Sequence, residues 1–252
     1  FTIYNISAKN NIENTYFSLL ESFKLYKKKL LSGIINLPLN KEKIINKIDN
    51  NFIGQTELYQ KLDKKKYSNM IFYSKDIITS SLSTHIPVVD INRFIKNKNL
   101  IYRKIELLYN ALKINFKIIK PKIVLLGLNP HAGENSKIGR EEKEILVPIL
   151  KKLRKRNYRI YGPIPADSAF NKINIKYYDC FLSIYHDQAL IPFKILAKNN
   201  GANFTGSLEI IRLSPIHGTG KNITNKNKAN YQSLLFCFKL IKKIIKNRNR
   251  NC

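Results

Sequence analysis

The chain predicts an α/β fold in which strands of a largely parallel sheet alternate with helices, and three observations lead there. Lys122-Ile123-Val124-Leu125-Leu126 and Cys180-Phe181-Leu182-Ser183-Ile184 are short continuous apolar runs, the pattern of strands buried on both faces. Segments with apolar residues at helical spacing alternate with such runs, as a βαβ architecture requires. Each of the four histidines, His85, His131, His186 and His217, sits in a turn-rich segment beside an apolar run. Open α/β sheets carry their ligands in such loops, at the C-terminal ends of strands.

Taken in order, residues 14–31 place Phe17, Leu20, Phe23, Leu30 and Leu31 near helical spacing, with lysines before Gly33 as a helix end. Ile34-Ile35-Asn36-Leu37-Pro38 reads as a strand and Asn40-Lys41-Glu42 as the start of a helix. Gly54-Gln55-Thr56-Glu57 opens another helix, whose amides could face an anion or whose Thr56 could simply cap it. Met70 to Tyr73 and Ile77 to Leu82 are strands leading to Thr84-His85-Ile86-Pro87, and a helix follows Pro87. The central stretch is Gly127-Leu128-Asn129-Pro130-His131-Ala132-Gly133-Glu134, on the loop after the 122–126 strand. Its glycines permit tight backbone and Pro130 stiffens the approach to His131. Glu141 and Glu142 start a helix with Ile145, Leu146, Ile149, Leu150 and Leu153 on its apolar face. Tyr158 to Tyr161 form a strand ending in Gly162-Pro163-Ile164-Pro165-Ala166-Asp167. Glu209 to Leu213 precede the last histidine loop, a final helix covers about 229–246, and the tail 247–251 is expected to fray.

At 252 residues and 44% hydrophobic composition the chain can bury a substantial core. No apolar run approaches membrane length, and Phe1-Thr2-Ile3-Tyr4-Asn5 lacks a signal-peptide layout, so a cytoplasmic protein without a membrane partner is expected. Cys180, Cys237 and Cys252 are odd in number and far apart, which excludes a disulfide framework or a metal knuckle. The net charge of +28 is spread along the whole chain among asparagine and isoleucine. That distribution, without a recognition module, argues for weak salt-sensitive attraction to polyanions and against specific nucleic-acid binding.

His85, His131 and His186 each follow a run of strand length, and parallel strands bring their C-terminal ends to one rim. Three neutral imidazoles can converge there on a divalent cation and leave positions open for water or substrate. Lys194, Asn203 and Arg212 recur every nine residues after His186 and offer charge and a planar donor fork to phosphate or carboxylate. Asp187 and Lys194 are the candidates for a general base.

With these motifs in view the sequence resembles the 4-hydroxythreonine-4-phosphate dehydrogenase family of pyridoxal phosphate biosynthesis. The resemblance rests on Leu37 to Glu42, Gly54 to Glu57, Thr84 to Pro87, Gly127 to Glu134, Gly162 to Asp167, Tyr185-His186-Asp187-Gln188 and His217-Gly218-Thr219. It implies a two-domain α/β/α sandwich like that of the isocitrate and isopropylmalate dehydrogenases. The expected division is a central unit over 36–212 carrying the metal and substrate loops, and a second unit from 1–35 with 213–252. The resemblance also implies a homodimer with shared active sites, a divalent cation (zinc, magnesium or cobalt) on His85 and His131 of one subunit and His186 of the other, and substrate contacts from Gln55, Thr56, Lys194, Asn203 and Arg212. NAD or NADP would take hydride from 4-phosphooxy-L-threonine, and the resulting β-keto acid would lose carbon dioxide to give 3-amino-2-oxopropyl phosphate.

The chain departs from the family pattern in three places. Gln55 stands where the family usually has histidine, and an amide cannot carry a proton or charge at neutral pH. That change keeps open a paralogous activity on four-carbon sugar-acid phosphates such as erythronate or threonate 4-phosphate. Ile216 replaces an acidic residue, and Gly220 to Asn227 replaces a glycine-rich segment. The family's opening strand and its Gly-Asp-Pro loop are absent, so the first strands of the sheet are expected to be missing and the chain alone to be poorly folded or inactive.

Overall fold

The structure, a computed structural model, describes residues 10–249, the side chain of Lys221 excepted; the start at Phe1 to Asn5 and the last residues of the tail lie outside that range. Among the described residues, the strands β1 (Ile34–Ile35), β2 (Asn69–Ser74), β3 (Ile78–Ser81), β4 (Ile123–Leu126), β5 (Ile160–Ile164), β6 (Cys180–Ser183), β7 (Gly201–Gly206) and β8 (Arg212–Pro215) form one sheet in the order β1-β8-β7-β2-β3-β6-β4-β5. The expected domain limits at 35/36 and 212/213 fall at the end of β1 and within β8, two strands paired in parallel in this sheet.

The half formed by β3, β6, β4 and β5 is parallel, as the apolar runs predict. The other half is not: β2 pairs antiparallel with both β3 and β7, and β7 antiparallel with β8. A turn at Lys75-Asp76 makes β2 and β3 a hairpin, with the Ser74 hydroxyl accepting from the Asp76 and Ile77 amides.

Helices α1 (Asn11–Lys27), α2 (Lys41–Lys47) and α3 (Gln55–Leu62) share one apolar cluster around Leu19, Phe23, Ile44 and Tyr59. The helices α4 (Ile91–Ile95), α5 (Lys98–Phe116), α6 (Val147–Lys155) and α9 (Gln232–Asn249) cover one face of the sheet, while α7 (Lys172–Tyr177) and α8 (His186–Ala197) cover the other. Alternate strand residues divide between these layers, Leu125 and Leu182 to the first and Val124, Leu126 and Phe181 to the second. The result is a helix-sheet-helix sandwich.

Several boundaries differ from expectation. Helix α1 stops at Lys27, and the left-handed residue after it is Lys29 (φ 61°) rather than Gly33. Gly54, not Thr56, precedes α3, and no side chain caps that end. Strand β7 and helix α7 are additional elements: the glycines bracketing Ala202 to Thr205 suggest a turn, and α7 is six residues long with none fully buried, too little to give it a period. Residues 247–249 belong to α9, because the Asn247 amide donates to the Asn115 carbonyl at 2.7 Å and is buried there.

Candidate active site

A cavity of about 270 Å³ opens over the junction of the two halves of the sheet. Strand register explains its floor. Phe72 on β2 is opposite Asn203 on β7, and Asn203 is opposite Ser214 on β8, so the three side chains project from the same face. Arg212, two residues before Ser214, projects from that face as well. The Asn203 side-chain oxygen Oδ1 is buried there with no partner among the described residues.

Arg212 is 2% exposed. Its Nε donates to Asn36 Oδ1 at 2.8 Å, Nη1 to Thr205 Oγ1 at 3.2 Å, and Nη2 to Gln55 Oε1. No carboxylate pairs with it among the described residues. Burial lowers its pKa to about 10, against weaker support from Tyr59 and Glu57, which leaves it a cation at neutral pH.

On the opposite wall, His85 follows β3 and His186 opens α8 after β6. Because β3 and β6 are parallel neighbours, their following loops meet, and the two imidazole centroids are 5.7 Å apart. Each ring is held by a carboxylate. His85 Nδ1 donates to Glu57 Oε1 at 2.8 Å, and His186 Nδ1 donates to Asp187 Oδ1 at 2.6 Å. This fixes the tautomer that keeps the Nε2 lone pair available, the arrangement that metal-ligating histidines use. Burial alone would raise the Glu57 pKa, but the hydrogen bond and charge of His85, with Lys41 beyond, bring it below the usual carboxylate value.

His131 lies on the loop after β4, outside the cavity lining and exposed. The loop is a left-handed run, with φ of 52°, 52°, 86°, 41° and 54° from His131 to Asn135. Left-handed backbone is costly for residues other than glycine, so the surroundings must impose it. Buried Glu142 does so: its carboxylate accepts from the Leu128 and Asn129 amides at 2.8 Å each and from Asn129 Nδ2 at 2.9 Å. Gln188 ties the same loop to α8, donating to the Gly127 carbonyl at 2.8 Å while accepting from the Ile184 amide at 2.8 Å.

The cavity thus gathers Gln55, Thr56, Lys194, Asn203 and Arg212 with His85 and His186. His131 and Asp187 are not in its lining, and no group of three His, Cys, Asp or Glu side chains able to hold a metal exists among the described residues. The resemblance associates His85 with His131 in one subunit; within this chain the ring beside His85 is that of His186. Sequence reasoning overlooked Glu57, Asn36, Glu142 and Gln188 as parts of the site. Glu57 and Gln188 stand inside quoted motifs, but the polar partners that define their roles are distant in sequence.

Against known proteins, a family model described as pyridoxal phosphate biosynthetic protein PdxA matches residues 4–241. A 4-hydroxythreonine-4-phosphate dehydrogenase of Aquifex aeolicus is 40% identical over 215 residues, 85% of this chain and 66% of that protein. The crystal structure of the Klebsiella pneumoniae protein of the same name superposes with a TM-score of 0.80 at 29% identity, covering 93% of this chain and 70% of that one. Isocitrate dehydrogenase of Methylococcus capsulatus, at 12% identity and a TM-score of 0.50 over 85% of this chain and 69% of its own, shares the fold. The chain spans about two thirds of the length of the curated relatives it matches. With a family match across nearly its whole length, the chain belongs to the PdxA family of pyridoxal phosphate biosynthetic proteins.

Proposed function

We propose that the chain carries the metal and substrate elements of a cytoplasmic, NAD(P)-dependent dehydrogenase that oxidises 4-phosphooxy-L-threonine to 2-amino-3-oxo-4-phosphooxybutanoate, which decarboxylates to 3-amino-2-oxopropyl phosphate. The name shared by its relatives supports the reaction. The observation that carries it is the cavity itself, with a buried, uncompensated guanidinium on one side and two carboxylate-held imidazoles on the other.

Arg212, with Lys194 and Thr56, would bind the anionic end of the substrate, and the unpartnered Asn203 Oδ1 would accept from a substrate N–H or O–H. His85 and His186 fit a divalent cation (zinc, magnesium or cobalt), and His131 from a second copy would complete the set in a homodimer. The cation supplies Lewis acidity at the hydroxyl that is oxidised. Glu57 and Asp187 would orient the two rings through Nδ1, with Nε2 turned to the cation. A second cavity of about 800 Å³ shares Lys194, Ile216, His217, Gly218 and Thr219 with the first, so a nicotinamide bound there would be contiguous with the substrate carbon that gives up hydride. Lys194 or Asp187 would take the hydroxyl proton.

Gln55 favours one alternative, a four-carbon sugar-acid phosphate, because the changed residue lies at the anion end and leaves the histidines untouched. Following nicotinamide reduction with 4-phosphooxy-L-threonine and with threonate and erythronate 4-phosphates separates the readings. The main proposal expects metal-dependent turnover at least about tenfold more efficient with the amino acid; the reverse preference would establish the alternative, and no turnover with any would overturn both.

A further inference from the structure

The cradle around Arg212 consists of neutral oxygens only: the Asn36 and Gln55 amide carbonyls and the Thr205 hydroxyl. Asn36 is fixed in turn, since its Nδ2 donates to the Tyr59 hydroxyl at 3.1 Å, and that hydroxyl donates to the Leu19 carbonyl at 3.3 Å. Gln55 is fixed from its other end, where Nε2 donates to the Leu37 carbonyl at 3.0 Å. This second bond sets the sense of the amide, so that the carbonyl, and not the NH2, meets Arg212. A buried arginine ordinarily takes a carboxylate partner, which would cancel its charge. Here the guanidinium is oriented at three nitrogens and keeps donor capacity and full charge for a ligand.

We propose that Gln55 is a positioning residue and not a substrate ligand: its carbonyl aims the Arg212 guanidinium into the cavity without neutralising it, so that the anionic end of a substrate meets an uncompensated cation. The inference rests on the anion-binding half of the proposed function and names how this chain, with an amide at that position, achieves it. The occupant is an oxyanion of the phosphate or carboxylate class, able to use the parallel N–H bonds of a guanidinium.

The test is calorimetric titration of the full chain with inorganic sulfate at about 0.15 M salt, where loose attraction to the basic surface is screened, alongside thermal melts without sulfate. Gln55→Glu keeps an acceptor for Arg212 but adds a charge. It is expected to melt at or above the wild-type temperature while its sulfate affinity falls about tenfold or more, a combination that a purely structural role for Gln55 does not produce. Gln55→Met should lower affinity alone but have no further effect when Arg212→Met is already present. The proposal is overturned if Gln55→Glu binds sulfate as the wild type does, if the Gln55→Met and Arg212→Met effects multiply as for independent ligands, or if Arg212→Met leaves sulfate binding unchanged. Sulfate binding requires neither metal nor nicotinamide. A chain that passes this test yet oxidises no four-carbon phosphate would retain the inference and lose the dehydrogenase reading.

Discussion

At the scale of single residues, two carboxylates prepare the histidines. Glu57 is the more buried and reaches His85 from another element, so its loss cannot be made good by a neighbour. Glu57→Ala is expected to weaken divalent-metal affinity by about 10–100-fold, measured by competition with a chromophoric chelator. Lys104 is a second residue with a definite consequence. It is buried on α5 with the Ser68 carbonyl as its hydrogen-bond acceptor at 3.1 Å, and burial lowers its pKa from 10.5 to about 8. Below pH 8 both folded and unfolded chains hold this proton and the burial cost is fully present; between about pH 8 and 10.5 the unfolded chain binds more protons, so stability rises with pH. Lys104→Met should therefore stabilise the chain at pH 7 by about 1–3 kcal/mol, with the difference in melting temperature shrinking as pH approaches 10. The candidate ligands were legible in the sequence because histidine is rare here and sits in loops. Their supporting acids were not, since Glu57 resembles any acidic residue in a helix's first turn until the fold brings His85 to it.

At the scale of elements, the loop after β4 is the most demanding piece of backbone. Its left-handed run is held from outside by Glu142 and Gln188. Removing the Glu142 carboxylate strands two amide donors, each bond to a charged acceptor contributing about 1.5–3 kcal/mol. Glu142→Ala is expected to lower stability by roughly 2–4 kcal/mol and to abolish hydrogen-exchange protection at Leu128 and Asn129. Retained protection at both amides would show that the loop holds itself. Gly133 has the same dependence from the other side, because at φ 86° an added Cβ would come within 2.8 Å of Glu142 Oε2. The strands β4 and β6 were legible as apolar runs because both of their faces are covered. β7 was not: its apolar and polar residues alternate between two glycines, and its polar Asn203 faces the cavity rather than solvent. The antiparallel half of the sheet, where β2 pairs with β3 and β7 and β7 with β8, carries no comparable continuous apolar run on β7 or β8.

At the scale of the whole molecule, the sheet order places the loops after β3 and β6 together, while His131, on the loop after β4, is outside the lining of their cavity. If a second copy supplies His131, mixed chains should complement one another in a defined way. Combining His85→Ala with His131→Ala chains should restore metal uptake in mixed dimers, because one of the two sites then holds a full set. Combining His85→Ala with His186→Ala should not, because both substitutions damage the same chain's half of a site. Restoration by the second mixture and not the first would mean that His186, not His131, crosses the contact. The fold class was legible because it depends on strand and helix periods summed over the chain, whereas the association of chains depends on surfaces whose pattern no period records.

The most direct test of the central claim, that His85 and His186 form a cation site beside the Arg212 cradle, is cobalt titration followed by visible absorption. The account predicts a saturable ligand-field band in the wild type, lost in His85→Ala and in His186→Ala with a fall in affinity of about 100-fold or more, and retained in Arg212→Met. Cobalt uptake and spectrum unchanged by either histidine substitution would contradict it.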